Sequence, residues 1–204
     1  MTTRHLDLGC GATSRNPYGC DDVHIVDIVA SPGVDASRLR IANLSLESIP
    51  HPDSSFDSVS AFDFLEHIPR VLATADGRST RFPFVELMNE VHRVLRPHGR
   101  FYALTPAYPS SETFQDPTHV NFIADETWRY FCGVRPQAQA YGFIGRFEML
   151  RNERALFPEA FTPSLPVSLW RRYRRWRLLR TGRLSHLMWE FACIKPPLVT
   201  SAHP

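Results

Sequence analysis

The stretch that decides the fold is Leu6-Asp7-Leu8-Gly9-Cys10-Gly11-Ala12-Thr13. Its apolar residues predict a short buried strand, and the two glycines that follow predict a tight turn in which the backbone can adopt positive φ. In an open sheet of parallel strands, ligands bind beyond the carboxyl ends of the strands, where this turn falls. Asp27 lies eighteen residues after Gly9, at the end of a second predicted strand, where a carboxylate can accept hydrogen bonds from ribose hydroxyls.

The pattern around this turn predicts a sheet built from strand-helix-strand units, because short apolar runs alternate with turn residues and helical stretches. Strands are predicted over residues 5–8, 23–28, 39–43, 56–62, 100–105, 143–150 and 187–194. Helices are predicted over 63–72, 85–95, 125–132 and 168–180. The fold class expected is therefore α/β, a Rossmann-like doubly wound sheet of seven strands, mostly parallel, with the last strand antiparallel.

The chain length of 204 residues suits a single domain over 1–204, with a basic aromatic helical insert at about 164–182 and a loose tail at 196–204. The formal net charge of +2 is small for a nucleic-acid-binding domain, so we do not expect a nucleic-acid partner. We see no signal peptide and no apolar run long enough for a transmembrane segment. Four cysteines without a Cys-x-x-Cys spacing favour reduced thiols and a cytoplasmic location. The sequence does not indicate an oligomeric state.

The charge at Asp7 separates two kinds of nucleotide site that share a glycine-rich turn. A dinucleotide-binding turn would have a third glycine at position 14, where this chain has Ser14. A carboxylate beside the turn would repel a pyrophosphate, whereas it would attract the ammonium and sulfonium groups of S-adenosylmethionine. The pattern therefore favours S-adenosylmethionine over a nicotinamide dinucleotide, and the alternative is a structural turn with unrelated acids nearby.

The segment 6–13 resembles motif I of the class I S-adenosylmethionine-dependent methyltransferases, and the likeness extends over roughly residues 4–130. Three later segments also resemble this family in its type 11-like form, namely 49–59, 64–68 and 90–100. The chain departs from the family at Thr13, which replaces a third glycine, and over 14–20, which is too short and broken for a full first helix. A shortened form of this kind would leave the substrate side open or covered by a partner subunit.

The resemblance assigns the cofactor contacts by position. It implies that the methionine part is surrounded by Asp7, Gly9, Cys10 and Gly11, that the ribose is held by Asp27 with Ile28 beside it, that the adenine lies at Asn43 and Leu44, and that Ala61 and Phe62 meet the methionine end.

Candidate catalytic residues follow the fourth strand. Asp63, Glu66 and His67 would share one face of the predicted helix, and His119 in the long loop 106–123 could close over them. This set resembles two metal-using branches of the family, the ubiquinone-pathway O-methyltransferases and the small-RNA 2′-O-methyltransferases. A divalent metal is nevertheless not the favoured interpretation, because an Asp and a Glu three residues apart also form a capping box at a helix start.

His119 is the stronger candidate by itself, because a histidine with a pKa near 6.5 can act as a general base at neutral pH. The alternative is a histidine that anchors the loop through a hydrogen bond to the backbone. We therefore predict methyl transfer from S-adenosylmethionine to an oxygen of a small-molecule or sugar acceptor.

The segment around Trp170, Tyr173 and Trp176 is rich in arginine and allows two interpretations. An amphipathic helix would pack its aromatic side chains on the sheet edge and expose its arginines. A basic surface would instead meet an anionic partner, such as a phosphate-bearing acceptor or a membrane approached peripherally. The alternative function to weigh is therefore a methyltransferase-like binding module that docks an anionic partner without turnover.

Overall fold

The computed structural model describes residues 2–155, 169–180 and 184–195, and its centre is a seven-stranded sheet. The strands are β1 (Arg4–Leu8), β2 (Asp22–Asp27), β3 (Leu39–Ile41), β4 (Phe56–Phe62), β5 (Leu95–Pro106), β6 (Phe147–Ala155) and β7 (His186–Cys193). They lie in the order β3-β2-β1-β4-β5-β7-β6. The first five pair in parallel, and β7 runs antiparallel between β5 and β6. The predicted fold class is confirmed, including the antiparallel last strand.

Helix α1 (Pro83–Val94) has proline in its first turn, where the missing amide proton costs nothing, and it ends where Leu95 begins β5. The predicted apolar stripe is confirmed in its centre, since Met88 and Val91 are fully buried in the core against the sheet. The other helices described are α2 (Glu112–Gln115), a single turn, and α3 (Leu169–Arg180), which is as long as α1. Single 3-10 turns cover Leu65–His67, Thr127–Tyr130 and Gln137–Tyr141, and a small hairpin pairs Leu72–Ala73 with Thr80–Arg81.

The helix predicted over 63–72 is wrong. Asp63 has a φ of 47°, in the left-handed region, so it neither continues β4 nor caps a helix. The residue before a proline is pushed towards an extended backbone, and Ile68 before Pro69 has φ −88° and ψ 117°. Only one 3-10 turn fits between these two points, and its N-cap, Phe64, makes no side-chain capping bond. The predicted capping box is therefore absent, and Asp63, Glu66 and His67 do not share a helix face.

The predicted strand over 143–150 also shifts, because β6 starts at Phe147 and continues to Ala155. In α3, the side chains of Trp170, Tyr173 and Trp176 are 68%, 59% and 50% exposed, so their predicted packing on the sheet edge is not met. The predicted insert residues 164–168 and 181–182 and the predicted tail 196–204 lie outside the described residues. None of the helices described is long and apolar enough to cross a membrane.

The two faces of the sheet differ in chemistry. One face is apolar and packs with α1 in the main core, which includes Leu6, Val59 and Phe101. The other face carries a row of polar side chains in register, since Asp7 pairs with Ser60, and Ser60 pairs with Tyr102. Residues 14–20 cross this polar face without forming a helix, as predicted, and Tyr18 donates a hydrogen bond to Glu190 at 3.0 Å. The polar face lies directly beneath the turn that follows β1.

Candidate functional site

The turn after β1 requires glycine at two positions. Gly9 has a φ of 66° and donates its amide to the Val26 carbonyl at 2.9 Å. A Cβ atom at Gly9 would lie 2.3 Å from Cδ2 of Phe64, closer than two carbon atoms can approach. Gly11 has a φ of 56° and donates its amide to Oδ2 of Asp27 at 3.0 Å. The turn is thus fixed by backbone conformation and by one carboxylate from β2.

Asp27, at the end of β2, contacts the residues that follow β1 and β3 at one edge of the sheet. Its other oxygen, Oδ1, accepts the Ile28 amide at 2.7 Å, and its backbone carbonyl accepts the Ala42 amide at 3.0 Å. Ile28 beside it is 58% exposed, and Asn43 follows Ala42 directly. The structure therefore brings the predicted ribose residues next to the turn and next to the start of the predicted adenine segment. Carboxylate oxygens accept more than one hydrogen bond, so Asp27 retains capacity for hydroxyl donors.

Asp7 is held beneath the turn by a buried network. Its Oδ1 accepts from Ser60 Oγ at 2.6 Å, and its Oδ2 accepts from the Arg15 amide at 2.7 Å. Ser60 Oγ also lies 2.9 Å from Nε2 of His5, whose Nδ1 lies 2.7 Å from Ser58 Oγ. Because the Ser60 proton points at Asp7, His5 must donate from Nε2 and accept at Nδ1.

Burial sets the charge of this network. It raises the pKa of Asp7 to about 6 and lowers that of His5 to about 4, since both charged forms lose solvation. At neutral pH the network therefore contains an ionised Asp7 and an uncharged His5. The result is a fixed negative charge just below the glycine turn.

Glu66 is the most deeply buried acid after β4, with 1% of its surface exposed. Its Oε2 accepts a hydrogen bond from Thr105 Oγ1 on β5 at 2.9 Å. Its Oε1 has no hydrogen-bond partner in the described part of the chain and lies 4.0 Å from Nε2 of His119. Burial raises the pKa of Glu66 to about 8, so its carboxyl is mostly protonated at neutral pH.

His119 lies over this acid with a defined ring orientation. Its Nδ1 is 3.1 Å from the Thr113 carbonyl, and a carbonyl only accepts, so in the neutral ring Nδ1 carries the proton and Nε2, which faces Glu66, has the lone pair. The His67 ring is 4.9 Å from the His119 ring, and burial together with His119 lowers the pKa of His67. The structure therefore brings together three of the four predicted catalytic residues.

Asp63 pairs elsewhere, although its charge adds to burial in raising the pKa of Glu66. Its Oδ1 lies 3.2 Å from Nε2 of His186, the first residue of β7, a contact that sequence spacing did not indicate. Thr105 and Phe64 were likewise missed, because Thr105 meets Glu66 across 39 positions of sequence and Phe64 carries no chemical signature. Contacts between distant segments leave no pattern in one sequence.

Glu66, His67 and His119 could together hold a divalent cation. Their ligand atoms lie within 4.8 Å of one another, whereas neighbouring ligands around one cation are about 3 Å apart, so small side-chain shifts would be needed. The hydrogen bond from Nδ1 of His119 to a carbonyl is the outer contact that orients a metal-bound histidine.

The loop 106–123 is fastened to the segment after β4 by backbone bonds. The amides of Val120 and Asn121 both donate to the Glu66 carbonyl at 2.9 Å. The Asn121 side chain donates to the Leu65 carbonyl at 3.0 Å and accepts from Arg70 Nε at 2.7 Å. His119 is therefore positioned by the same contacts that close the loop onto Glu66.

Comparison with known proteins relates the chain to a class of enzymes. Residues 6–103 match the family model described as a methyltransferase domain. Together with the strand order and the glycine turn, this match shows that residues 6–103 form a methyltransferase domain of the class I S-adenosylmethionine-dependent kind. It is an enzyme of methyl transfer, and its cofactor is S-adenosylmethionine. No curated protein matches the chain.

Solved structures agree in fold. A geranyl diphosphate methyltransferase in complex with GPP and sinefungin has a TM-score of 0.56 at 14% identity, over 94% of this chain and 71% of that one. A SAM-dependent methyltransferase from Archaeoglobus fulgidus has a TM-score of 0.51 at 16% identity, over 94% of this chain and 86% of that one. The Burkholderia thailandensis 1,6-didemethyltoxoflavin-N1-methyltransferase, solved with S-adenosylhomocysteine, has a TM-score of 0.51 at 16% identity, over 95% of this chain and 72% of that one. At these identities the likeness is one of fold.

Proposed function

We propose that this methyltransferase acts on an oxygen of a small-molecule or sugar acceptor and that His119 is its general base. The observation that carries the proposal is the orientation of His119, whose Nδ1 meets the Thr113 carbonyl and whose Nε2 lies beside Glu66. Phe64 contacts the Gly9 turn, and Leu65 and Glu66 follow it directly, so the segment that carries Glu66 begins at the proposed cofactor turn. A hydroxyl attacking the cofactor's methyl group has to lose its proton, and a base within reach lowers that barrier.

The turn and its two acids support a cofactor site at the carboxyl edge of the sheet. Gly9 and Gly11 provide close backbone approach, and the charge of Asp7 below them favours the cationic methionine end. Asp27 has remaining acceptor capacity for the ribose hydroxyls. The full proposed set of cofactor residues is Asp7, Gly9, Cys10, Gly11, Asp27, Ile28, Asn43, Leu44, Ala61 and Phe62.

The chemistry asked of the protein is modest. The sulfonium of S-adenosylmethionine supplies a reactive methyl group, so the chain has to align the acceptor oxygen, exclude water and take one proton. As the oxygen–methyl bond forms and the sulfur–methyl bond breaks, Nε2 of His119 accepts the hydroxyl proton. Glu66 and His67 shape this side of the site, and Asp63, paired with His186, lies at the start of the same segment, directly after β4.

A second candidate is catalysis assisted by a divalent cation at Glu66, His67 and His119, favoured by the convergence of their ligand atoms. The ion would bind the acceptor hydroxyl and lower its pKa. Exhaustive chelation followed by an activity assay tests this candidate. Full activity after chelation would exclude it and leave His119 as the base.

The proposal is tested in two steps. Titration calorimetry with S-adenosylmethionine should show one site, and binding that is undetectable at high micromolar cofactor would contradict the cofactor site. Incubation with cofactor and a panel of phenols, hydroxy acids and sugars should then release S-adenosylhomocysteine with one class of hydroxyl acceptor. Methylation only at nitrogen or carbon would overturn the oxygen assignment.

The alternative of a binding module without turnover makes a different prediction for the same measurements. It expects no S-adenosylhomocysteine from any acceptor, together with binding of anionic vesicles or polyanions through α3. The exposed Trp170, Tyr173 and Trp176 are the observation in its favour. A Trp176→Ala variant that loses vesicle binding would separate this surface from the methyl-transfer site.

A further inference from the structure

A wide cleft lined by aromatic side chains opens next to the catalytic segment. It has a volume of about 540 Å³ and lies between the start of α1, the loop after β5 and the two 3-10 turns that follow that loop. Most of its wall is aromatic, including Phe82, Tyr108, Phe114, Phe122, Tyr130 and Tyr141. A volume of this size suits a small organic molecule.

The wall of this aromatic cleft is exposed to an extent that is unusual for large apolar groups. Tyr108, Phe114 and Tyr141 are 57%, 55% and 47% exposed, and Val71 in the same wall is 60% exposed. Scattered exposed apolar residues need no explanation, but a concentration of them in one concave surface marks a binding site. The aromatic cleft is therefore incomplete without an occupant.

A continuous chain of contacts joins the aromatic cleft to the methyl-transfer site. Arg70 lies in the wall and donates to Asn121, and Asn121 donates to the Leu65 carbonyl. Leu65 lies between Glu66 and Phe64, and Phe64 contacts the Gly9 turn. The wall of the cleft is therefore connected, through Asn121, to the segment that carries Glu66.

Arg70 adds one positive charge to this apolar wall. Its guanidinium donates to Asn121 and to the Phe122 carbonyl, and none of the ion pairs among the described residues includes it. Partial desolvation lowers the pKa of Arg70, and Tyr130 in the same wall opposes this shift. A guanidinium has five N–H donors, so Arg70 retains donors for an anion.

We propose that the aromatic cleft binds the methyl acceptor and selects a molecule with an apolar, ring-bearing body and a single anionic group that pairs with Arg70. This inference rests on the proposed function, because it identifies the cleft as the acceptor side of that site. It narrows the acceptor class, since aromatic rings stack on flat apolar groups and contribute few of the hydrogen bonds that a free sugar needs. The hydroxyl that is methylated extends from the apolar body towards His119.

The test compares two fluorescent probes with the same aromatic body. 1-Anilinonaphthalene-8-sulfonate carries one negative charge, whereas N-phenyl-1-naphthylamine carries none. Both should bind the wild-type chain at one site, with the sulfonate probe at least about threefold tighter. Equal affinities would show that Arg70 does not recognise an anion.

Variants locate the site. Arg70→Gln should weaken the sulfonate probe about tenfold and the neutral probe less than about twofold, because one charge-assisted hydrogen bond contributes roughly that factor. Arg78→Gln, an exposed arginine of the small hairpin, is the matched control and should change neither probe. Val85→Trp should fill the aromatic cleft and weaken both probes. Probe binding that Val85→Trp leaves intact would overturn the proposal.

Failure here is distinguishable from failure of the proposed function. Calorimetry with S-adenosylmethionine on the same samples reports the cofactor site independently and shows that each variant is folded. Cofactor binding without probe binding would overturn only the acceptor assignment. Sedimentation velocity tests whether a second copy of the chain fills the cleft instead. If the wild-type chain is a dimer, and Phe114→Ser dissociates it and increases probe binding, the cleft is an interface between copies and the proposal is overturned.

Discussion

The proposed cofactor edge, at the turn after β1, and the proposed acceptor edge, around Glu66 and His119, are built by different means. At the cofactor edge, Gly9, Gly11 and Asp27 are placed by positive φ angles and by backbone amides that donate over short distances. At the acceptor edge, Glu66 and His119 are placed by side chains and carbonyls that come from separate loops. The first edge is therefore a property of a local segment, and the second is a property of the assembled chain.

The two edges also differ in charge. Asp7 and Asp27 put negative charge at the cofactor turn, which suits a cationic cofactor. The acceptor edge combines a protonated Glu66, a histidine pair and an aromatic wall with Arg70 in it. This contrast predicts that mutations at the cofactor turn and mutations around Glu66 and His119 affect cofactor binding and acceptor turnover separately.

The largest expected effect is at the acceptor edge. His119→Ala should lower kcat about a thousandfold with the acceptor found by screening, because general-base catalysis contributes about 10² to 10⁴. Its affinity for S-adenosylmethionine, measured by calorimetry, should stay within about twofold of wild type. His98→Asn replaces an exposed histidine at the opposite end of β5 and should leave both values unchanged. Intact turnover of His119→Ala at pH 7 would remove His119 as the base.

Gly9→Ala should have the next largest effect and should act on the cofactor edge. The left-handed backbone costs about 1–2 kcal/mol with a side chain, and the new Cβ would displace Phe64, so cofactor affinity should fall roughly 30-fold or more. Gly33→Ala has the same kind of strain, with a φ of 90° and open space around the new Cβ, and should bind the cofactor normally. If Gly9→Ala binds S-adenosylmethionine as wild type does, the turn is not the cofactor site.

The smallest effect expected is a pH dependence from Asp7. Burial raises its pKa to about 6, so the group is ionised above that pH and becomes neutral below it. The attraction for the cationic end of the cofactor should therefore be complete at pH 7.5 and decline below pH 6, by at most about tenfold for each pH unit. Calorimetry from pH 5 to 7.5 measures this change. Asp7→Asn should bind weakly at every pH with a flat profile, and a wild-type profile that is equally flat would contradict the role of Asp7.

The sheet and the glycine turn were predictable because their signals are local. Apolar segments as long as one strand predicted the bounds of β1, β4 and β7 to within one or two residues, and Gly9 and Gly11 predicted positive φ angles. The helix predicted after β4 failed for an equally local reason, since the constraint that Pro69 places on Ile68 outweighed the helical spacing of Asp63, Glu66 and His67.

The acceptor edge was predictable only in part. The long loop and its histidine indicated a site, but the partner of Glu66 and the partner of Asp63 did not follow from spacing. Thr105 is 39 positions from Glu66, and Asn121 is 51 positions from Arg70. Such contacts exist only after the parallel strands have brought their carboxyl ends to one edge of the sheet.

The amino-acid sequence was thus sufficient for the glycine turn and the cofactor, because backbone conformation and short-range charge decide them. The family followed from the resemblance of its motifs over roughly residues 4–130. The folded chain was needed for the ring orientation of His119, the buried and protonated state of Glu66 and the aromatic cleft with its single arginine. Burial and the meeting of distant segments create these three features, and neither is encoded in the spacing of any one stretch.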